Sequence, residues 1–297
     1  MIKVVFIDKI AEMENYIMTK KIVFIDVDGT LVTMNEEIPL SAQKAIKAAR
    51  ANGHILYLCT GRSKPEIYDS ILEVGFDGVI GAGGGYIESQ GEVIYQRQVT
   101  AENVRQMVDY FMANNFSFYL ESNGGLYGNL KLREDIIEKF TQAIPAEQRE
   151  AAKENFQHPF LDKIHFSDDN LYRTDVNKAC FLENPAVAFP DIVAEFKDAF
   201  EVIHCTVPAF GDDSGELMVP GVHKGVAIEF LLDHLGMDVS QTVGIGDGMN
   251  DKEMLELCQI GIAMGNAKEG LKAVADYVTT DLEEDGLYNA FKHYNLF

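Results

Sequence analysis

Tryptophan is absent from the 297-residue chain, and cysteine is scarce. The four cysteines lie far apart, with no CxxC pair and no histidine at the spacing of zinc ligands; they are Cys59, Cys180, Cys205 and Cys258. We therefore expect reduced thiols in the protein core. No apolar run approaches the roughly 18 residues of a membrane span, and the N-terminal segment lacks the pattern of a secretory signal peptide. These absences predict a cytoplasmic protein.

Positive charge is also scarce, because 25 lysines and arginines stand against 47 aspartates and glutamates, for a net charge of −22. A surface this acidic repels nucleic-acid backbones and anionic lipid headgroups, so neither nucleic acid nor a membrane is an expected partner. Small phosphorylated ligands are not excluded, because a bound cation can reverse the local field. The remaining composition, 47% hydrophobic and 24% charged, is typical of a globular protein.

Short apolar runs alternate with amphipathic helical patterns at both ends of the chain. Ile22–Val27 and His54–Cys59 are typical of buried parallel strands, and Ser41 is placed to N-cap the helix between them. The alternation returns with a helix predicted at Lys224–Leu235 and a strand at Thr242–Ile245. This pattern predicts an α/β fold with a doubly wound parallel sheet.

The middle third has a different organisation. Adjacent strands such as Phe116–Leu120 and Leu126–Asn129 lie beside charged helices, which indicates an α+β unit with an antiparallel sheet. The sequence therefore predicts a core at residues 18–86 and 217–297, with a second domain inserted at residues 87–216.

The N-terminal residues 1–17 stand apart from this scheme. Lys3–Asp8 nearly repeats Lys21–Asp26, but only the second copy continues into a longer motif. The first copy is either an extra edge strand or an N-terminal extension, and the polar stretch after it favours the extension.

Two carboxylates, Asp26 and Asp28, follow the first predicted strand. In an extended chain, side chains at positions i and i+2 share a face, so these two project together. Carboxylates so close repel unless a cation joins them or one of them is protonated. A turn or a helix-capping acid is the alternative explanation for this pair.

Two further positions suit an anionic ligand. Thr60 and Gly61 end the second predicted strand, where a hydroxyl and the next amide can bind an anion, although a plain turn also fits. Lys224 opens a helix, where its charge opposes the helix dipole unless an anion lies nearby. A lysine that merely faces solvent is the alternative.

The segment Gly246–Asp251 is the richest in potential metal ligands. Asp247, Asn250 and Asp251 follow the apolar strand Thr242–Ile245, and two glycines allow a tight turn. Their oxygens are the ligands that Mg²⁺ prefers. A carboxylate-rich turn without a metal is the alternative.

Together these segments resemble the motifs of the haloacid dehalogenase superfamily of phosphotransferases and, within it, the Cof-like (type IIB) phosphatases. Asp26–Leu31 matches the first motif, DxDGTL, and Thr60–Arg62 matches the second. Lys224 looks like the third, and Gly246–Asp251 matches the fourth, GDGxND. The resemblance covers nearly all of Lys20–Phe297. It implies a Rossmann-like core with an α+β cap domain inserted between the second and third motifs.

The resemblance also implies the roles of the residues. Asp26 would be the nucleophile that forms an aspartyl-phosphate, and Asp28 the general acid and base. Mg²⁺ would be held by Asp26, the backbone carbonyl of Asp28 and Asp247, with Asp251 bonding to the shell around the metal. The groups that hold the phosphate would be Thr60, Gly61, Lys224 and Asn250.

Other positions extend or depart from the resemblance. Gly261–Ala267 and Thr280–Gly286 also look like the family. Gly83-Gly84-Gly85 stands where Cof-like chains commonly carry Asn-Gly-Ala, which puts a local turn or hinge bond in doubt. Arg62 would either contact the substrate or brace an acidic neighbour.

The function implied is a Mg²⁺-dependent phosphatase for a small phosphorylated metabolite. A sugar phosphate is the default substrate by resemblance, while nucleotides and phosphorylated cofactors such as pyridoxal phosphate stay open. The cap would select the substrate, and its candidate contacts are the turns at Glu121–Gly125 and Gly211–Ser214.

Three other functions compete with this one. A sugar phosphomutase would use the same aspartyl-phosphate, and a non-catalytic relative would bind a metabolite and regulate a partner. Dinucleotide binding is disfavoured, because Tyr86 stands where the motif GxGxxG needs its third glycine.

Overall fold

The computed structural model describes residues 20–142, 144–205 and 207–297. The predicted extension at residues 1–17 lies outside the described residues. The described chain divides into two compact units, and each is treated by itself below.

The first unit comprises residues 20–58, 74–77 and 229–297, and the second comprises residues 59–73 and 78–228. The limits of these two units do not test the predicted boundaries between the core and the inserted domain, so those boundaries stay a prediction.

Fourteen strands and eleven α-helices are formed within the described ranges. The strands are β1 Ile22–Ile25, β2 Ile55–Cys59, β3 Gly78–Gly81, β4 Tyr86–Ser89, β5 Glu92–Gln96, β6 Phe118–Ser122, β7 Gly125–Gly128, β8 Ile164–Phe166, β9 Val176–Phe181, β10 Glu201–His204, β11 Gly215–Met218, β12 Thr242–Gly246, β13 Ile260–Ala263 and β14 Tyr277–Val278. The helices are α1 Leu40–Ala51, α2 Asp69–Leu72, α3 Ala101–Ala113, α4 Leu130–Thr141, α5 Ala146–Glu154, α6 Pro159–Asp162, α7 Phe189–Phe196, α8 Lys224–Leu235, α9 Lys252–Leu257, α10 Glu269–Lys272 and α11 Gly286–His293. None of these helices is both long and apolar enough to cross a bilayer.

The first unit is built on five parallel strands in the order β14-β13-β12-β1-β2. β1 lies between β12 and β2, and none of its four side chains is exposed. Burial on both faces explains why this strand is apolar throughout rather than alternating. Helix α11 packs on α1, and α9 packs on β12 and β13. The result is the Rossmann-like α/β architecture that the sequence predicts.

The second unit contains a six-stranded sheet in the order β10-β11-β9-β6-β7-β8. Its strands are antiparallel except for the parallel pair β7 and β8. The same unit holds the antiparallel strands β3, β4 and β5. An antiparallel sheet beside helices is the α+β organisation predicted for the middle of the chain.

The two faces of the six-stranded sheet have separate cores. Phe118 and Phe181 point to one face, where they pack with residues of α3 and α7 such as Phe111. Tyr119 and Cys180 point to the other face, where they pack with residues of α4. The alternation of neighbouring residues between faces follows from the two-residue period of a strand.

The predicted helix cap at Ser41 is wrong. Helix α1 begins at Leu40, Pro39 occupies the N-cap position at φ −52°, and no side chain caps the helix. Ser41 therefore lies in the first turn, where its buried Oγ has no partner among the described residues. The fixed φ of the proline, rather than a serine hydroxyl, sets the start of the helix.

Short strands were the main omission of the sequence prediction. β4, β5, β8, β13 and β14 are two to five residues long and were not predicted. Strands this short offer too few positions to show an alternating pattern.

Candidate functional site

A cluster of carboxylates lies where β1 and β12 end. Asp26 directly follows β1 and Asp247 directly follows β12, and these strands pair in parallel. One oxygen each from Asp26, Asp247 and Asp251 lie within 4.8 Å of one another. Asp26 is 4% exposed, and Asp251 is fully buried. Three carboxylates this close repel unless a cation lies among them, and their oxygens are hard ligands, so the cluster fits Mg²⁺.

Two turns hold this carboxylate cluster in place. Gly29 has φ +80°, and a Cβ there would lie 2.4 Å from Asp247 Oδ2, so only glycine fits. Thr30 Oγ1 donates to Asp247 Oδ1 at 3.2 Å. Asp251 Oδ2 accepts from the backbone N–H groups of Asp247 and Gly248, both at 3.0 Å. Asp251 is therefore fixed by its own turn.

Asp28 and Asn250 are the exposed members of the predicted site in the first unit. β1 ends at Ile25, so the strand alternation that placed Asp26 and Asp28 on one face does not extend to them. Asp28 is exposed, whereas Asp26 is buried. An exposed carboxyl group can exchange protons with water, whereas a buried one is held in a fixed position.

Sequence analysis gave no role to Asn266 or Thr30. Asn266 Nδ2 donates to the carbonyl of Gly29 at 2.8 Å, and its Oδ1 accepts from the N–H of Leu282 at 3.0 Å. Asn266 thus ties the turn after Asp26 to the C-terminal segment. The resemblance of Gly261–Ala267 to the family was the available signal, but only the structure shows this contact.

Thr60 and Arg62 form a tight turn in the second unit. Thr60 is fully buried, and its Oγ1 accepts from the N–H of Arg62 at 3.1 Å. Its backbone is fixed on both sides, since its N–H donates to Ile80 and its carbonyl accepts from Gly83. Arg62 Nη1 donates to the carbonyl of Glu66 at 2.9 Å. That contact corresponds to the bracing alternative, although the acceptor is a backbone carbonyl.

Lys224 begins helix α8, as predicted, and only 1% of it is exposed. The alternative of a solvent-facing lysine is therefore wrong. Gly84, at φ +110°, packs against the backbone at the start of helix α8. A Cβ on Gly84 would lie 2.5 Å from the carbonyl oxygen of His223, the residue before Lys224. Burying an ammonium group is costly unless polar or anionic groups compensate it. The position of Lys224 is thus both fixed and suited to an anion.

Glu121 and Lys178 are buried on the sheet of the second unit, and with the partly exposed Glu66 and Glu216 they form what we call the buried ionic cluster. Glu121 lies opposite Lys178 on β6 and β9. Lys178 Nζ lies 2.8 Å from Glu216 Oε2 and 3.3 Å from Glu121 Oε1. The predicted turn at Glu121–Gly125 is wrong in its bounds, because Glu121 and Ser122 belong to β6 and are buried. The hairpin loop is only Asn123-Gly124, a residue pair typical of two-residue turns.

In the buried ionic cluster, burial and neighbouring charges shift the pKa values of Glu121 and Lys178. Burial raises the pKa of the Glu121 carboxyl well above its usual range, the Glu66 carboxyl adds to the increase, and Lys178 opposes it. Burial alone would lower the pKa of Lys178, but Glu121, Glu216 and Glu66 raise it well above its usual range. Burial and the neighbouring Glu66 carboxyl thus favour the neutral form of Glu121, whereas the carboxyl groups around Lys178 favour its charged form.

Beside this cluster, two asparagine side chains each have a buried polar atom with no hydrogen-bond partner among the described residues. Asn177 Nδ2 donates to Asn123 Oδ1 at 2.8 Å and to Ser63 Oγ at 3.3 Å. Asn177 Oδ1 and Asn123 Nδ2 are buried without a hydrogen-bond partner among the described residues. Asn177 as a whole is only 5% exposed. Such groups are costly to bury, which points to a ligand or water that satisfies them.

The second predicted cap contact, Gly211–Ser214, forms a turn, as predicted, and its contact with substrate stays a prediction. Ser214 is fully buried, and its Oγ donates to the carbonyl of Gly211 at 2.6 Å.

The structure thus brings Asp26, Asp247 and Asp251 together in the first unit. Thr60, Gly61 and Lys224 belong to the second unit. The predicted roles of all these residues, in metal binding, catalysis and phosphate binding, stay predictions.

Comparisons with known proteins agree with this geometry. The model of the haloacid dehalogenase-like hydrolase family matches residues 23–291. The chain is 24% identical over 288 residues to the phosphatase YwpJ of Bacillus subtilis, a match that covers 92% of this chain and 99% of that protein.

Two solved structures are similar over 94% of this chain and 100% of theirs. One is the subclass IIB sugar phosphatase BT4131, at 26% identity and a TM-score of 0.72. The other belongs to a phosphoryl-transfer superfamily whose crystal structures show a trigonal-bipyramidal intermediate, at 27% identity and a TM-score of 0.73. The chain therefore belongs to the haloacid dehalogenase-like hydrolases, as the order of its four sequence motifs predicts.

Proposed function

We propose that this hydrolase is a Mg²⁺-dependent phosphatase that hydrolyses a small phosphorylated metabolite through an aspartyl-phosphate on Asp26. The observation that carries the proposal is the cluster of Asp26, Asp247 and Asp251, in which Asp26 and Asp251 are buried and one oxygen of each residue lies within 4.8 Å of the others. A sugar phosphate is the favoured substrate class, supported by the likeness to a sugar phosphatase.

The metal would be held by Asp26, the backbone carbonyl of Asp28 and Asp247, with Asp251 bonding to the shell around it. When bound, Mg²⁺ offsets the repulsion between the carboxylate and the anionic phosphoryl group. Asp251 keeps the turn around Asp247 closed through its two backbone hydrogen bonds.

The chemical steps use two carboxyl groups. A carboxylate oxygen of Asp26 attacks phosphorus while the bond to the leaving oxygen breaks, and Asp28 gives that oxygen its proton. Water then attacks the phosphorus of the aspartyl-phosphate, and Asp28 takes a proton from it. Inorganic phosphate leaves, and Asp26 is again a free carboxylate. The exposure of Asp28 suits a group that exchanges a proton with substrate and water.

The phosphate oxygens would be held by four groups. They are the Thr60 hydroxyl, the Gly61 amide, the Lys224 ammonium and the Asn250 amide. Lys224 is the main positive charge of this set, and donors fixed in advance stabilise charge in the transition state without reorganisation.

The leaving group would contact the buried ionic cluster and its neighbours Asn123 and Asn177. These residues offer both donors and acceptors, and two of their polar atoms have no partner among the described residues. Such a surface suits a neutral, polyhydroxylated leaving group. Asn177→Ala is expected to raise KM for sugar phosphates more than for p-nitrophenyl phosphate, whose leaving group has a single hydroxyl. An equal change for both substrates would contradict the contact.

The test of the function is phosphate release from sugar phosphates, nucleotides, pyridoxal phosphate and p-nitrophenyl phosphate, with Mg²⁺ or with EDTA. Release should require Mg²⁺, and Asp26→Asn should abolish it while the protein stays folded. Transfer of the label between sugar positions without phosphate release would instead identify a phosphomutase. A folded protein that binds Mg²⁺ but releases no phosphate would contradict the proposal.

A further inference from the structure

Two thiols and a carboxylate meet on the six-stranded sheet of the second unit. Cys180 on β9 lies directly opposite Glu216 on β11. Cys205 follows β10, and its N–H donates to the carbonyl of Ser214 at 3.1 Å, which continues the pairing of β10 with β11. Cys205 is two residues beyond Ile203, the residue opposite Glu216, so all three side chains share one face.

The spacing of the ligand atoms suits one tetrahedral ion. The two Sγ atoms lie 3.8 Å apart. Two thiolates bound at about 2.3 Å to a tetrahedral Zn²⁺ would also lie about 3.8 Å apart. A carboxylate oxygen of Glu216 is within 4.8 Å of both sulfurs. An ion could therefore enter with small side-chain movements.

A disulfide fits this arrangement less well. β11 lies between β9 and β10, so two strand spacings, about 10 Å in a flat sheet, separate the backbones. A disulfide needs Cα atoms within about 7 Å. The two sulfur atoms are not bonded to each other in the structure. Closing the bond would require main-chain movement, whereas binding an ion would not.

Charge and access also favour an ion at this place. Lys178 Nζ lies 2.8 Å from Glu216 Oε2 and would balance the excess negative charge of two thiolates and a carboxylate around a divalent ion. Cys180 is 1% exposed, but Cys205 is only partly buried, which leaves a route from solvent.

We propose that Cys180, Cys205 and Glu216 form a binding site for a thiophilic divalent cation of the Zn²⁺ type. The ion ties β9, β10 and β11 together, so its binding stabilises the second unit. Thiolates and a carboxylate prefer such a borderline-soft ion to Mg²⁺, which separates this site chemically from the carboxylate cluster. Binding releases about two protons, one from each thiol.

Titration of the reduced full-length protein with Co²⁺ tests the site, because thiolate ligation gives intense near-ultraviolet charge-transfer absorption and oxygen ligation does not. We expect this absorption at one Co²⁺ per chain and its displacement by Zn²⁺, with an increase in the melting temperature. Asp247→Asn should keep the absorption, which assigns it to the second unit.

Variants assign the ligands. Cys205→Ser should abolish the absorption, and because this thiol is only partly buried the variant should fold. Cys180→Ser provides a second loss of a thiolate, and Glu216→Gln should weaken binding. Cys258→Ala is the matched control, since burial raises the pKa of the Cys258 thiol to about 12 and keeps it protonated.

Two results would overturn the proposal. One is the absence of charge-transfer absorption in a protein whose four thiols are titratable and reduced. The other is absorption that survives Cys205→Ser in a folded protein. Mild oxidation that joins Cys180 to Cys205, in a protein that binds no Co²⁺, would identify the pair as a redox couple and would also contradict the metal site. None of these readouts depends on phosphatase activity.

Discussion

Lys224 is the site residue whose burial and position point most directly to one role, the binding of an anion. It is 1% exposed and starts helix α8, where the dipole opposes a cation. We expect Lys224→Met to lower kcat/KM for phosphate release by roughly 10²–10³-fold, the usual cost of removing one transition-state donor. The measurement is steady-state kinetics with p-nitrophenyl phosphate.

Lys252→Met is the control for this prediction. Lys252 is exposed on α9, and its Nζ lies 3.7 Å from Glu256 Oε1 in a surface pair that contributes little. Equal activity of the two folded variants would remove Lys224 from the phosphate site.

Asn266 acts at one remove from the chemistry, as a positioning residue. Its hydrogen bonds to the Gly29 carbonyl and the Leu282 amide hold the turn that follows Asp26. Asn266→Ala removes two contacts of about 1 kcal/mol each, so kcat should fall roughly 5- to 30-fold while KM changes little. Asn289→Ala, which removes hydrogen bonds near the same C-terminal segment, is the control. A raised KM at unchanged kcat would show that Asn266 acts on substrate binding instead.

At the scale of elements, strand β4 is tied to the segment after Arg62 by a polar triad in the second unit. Glu88 Oε2 accepts from Tyr86 at 2.5 Å and from Lys64 Nζ at 2.6 Å. The hydrogen bond from Lys64, followed by that from Tyr86, lowers the pKa of Glu88. A carboxyl whose pKa is lower in the folded protein stabilises it above the unfolded pKa of about 4.3. That contribution is lost as the pH falls through the folded pKa.

The variant Glu88→Gln lacks this contribution at every pH. The melting temperature of the wild type should exceed that of Glu88→Gln near neutral pH, and the difference should shrink as the pH falls from about 6 to about 3. Glu92→Gln, on the exposed strand β5, is the control. A difference that grows toward low pH would contradict the sign of the pKa shift.

The accuracy of the sequence prediction varied with the length and burial of each element. Helix α8 was predicted with its observed bounds, because its apolar face and the glycine after it mark both ends. β4 and β5 were missed because they are short, and because most of β5 is exposed. The grouping of Asp26, Asp247 and Asp251 was implied by the family resemblance, and it agrees with the rule that ligands bind where parallel strands end.

Contacts between distant segments could not be predicted in the same way. The contact of Asn266 with Gly29 joins residues 237 positions apart. The burial of Glu121 depended on where β6 ends, because the sequence placed this residue in a turn. Because the strand continues two residues beyond its predicted end, Glu121 lies on β6 as part of the buried ionic cluster and not in a turn.

For the whole molecule, the net charge of −22 sets the field around the carboxylate cluster. This field attracts cations, and salt screens it over about 10 Å at 0.1 M. We expect the dissociation constant for Mg²⁺ to rise several-fold when KCl is increased from about 0.05 to 0.5 M, as measured by calorimetry. The variant Asp247→Asn lacks one carboxylate of the cluster, so the binding heat that it still gives comes from other sites. An affinity independent of salt would show that only local ligands hold the ion.

The central claim is that Asp26 carries the phosphoryl group during turnover. The most direct test mixes the Asp28→Asn variant with Mg²⁺ and ³²P-labelled p-nitrophenyl phosphate, followed by an acid quench and peptide mapping. This substrate has a good leaving group and needs little help from a general acid, whereas hydrolysis of the intermediate still needs the missing base. Label on the peptide that contains Asp26, absent in Asp26→Asn, is the result we predict. Phosphate release with no covalent label, or label on another residue, would contradict the account.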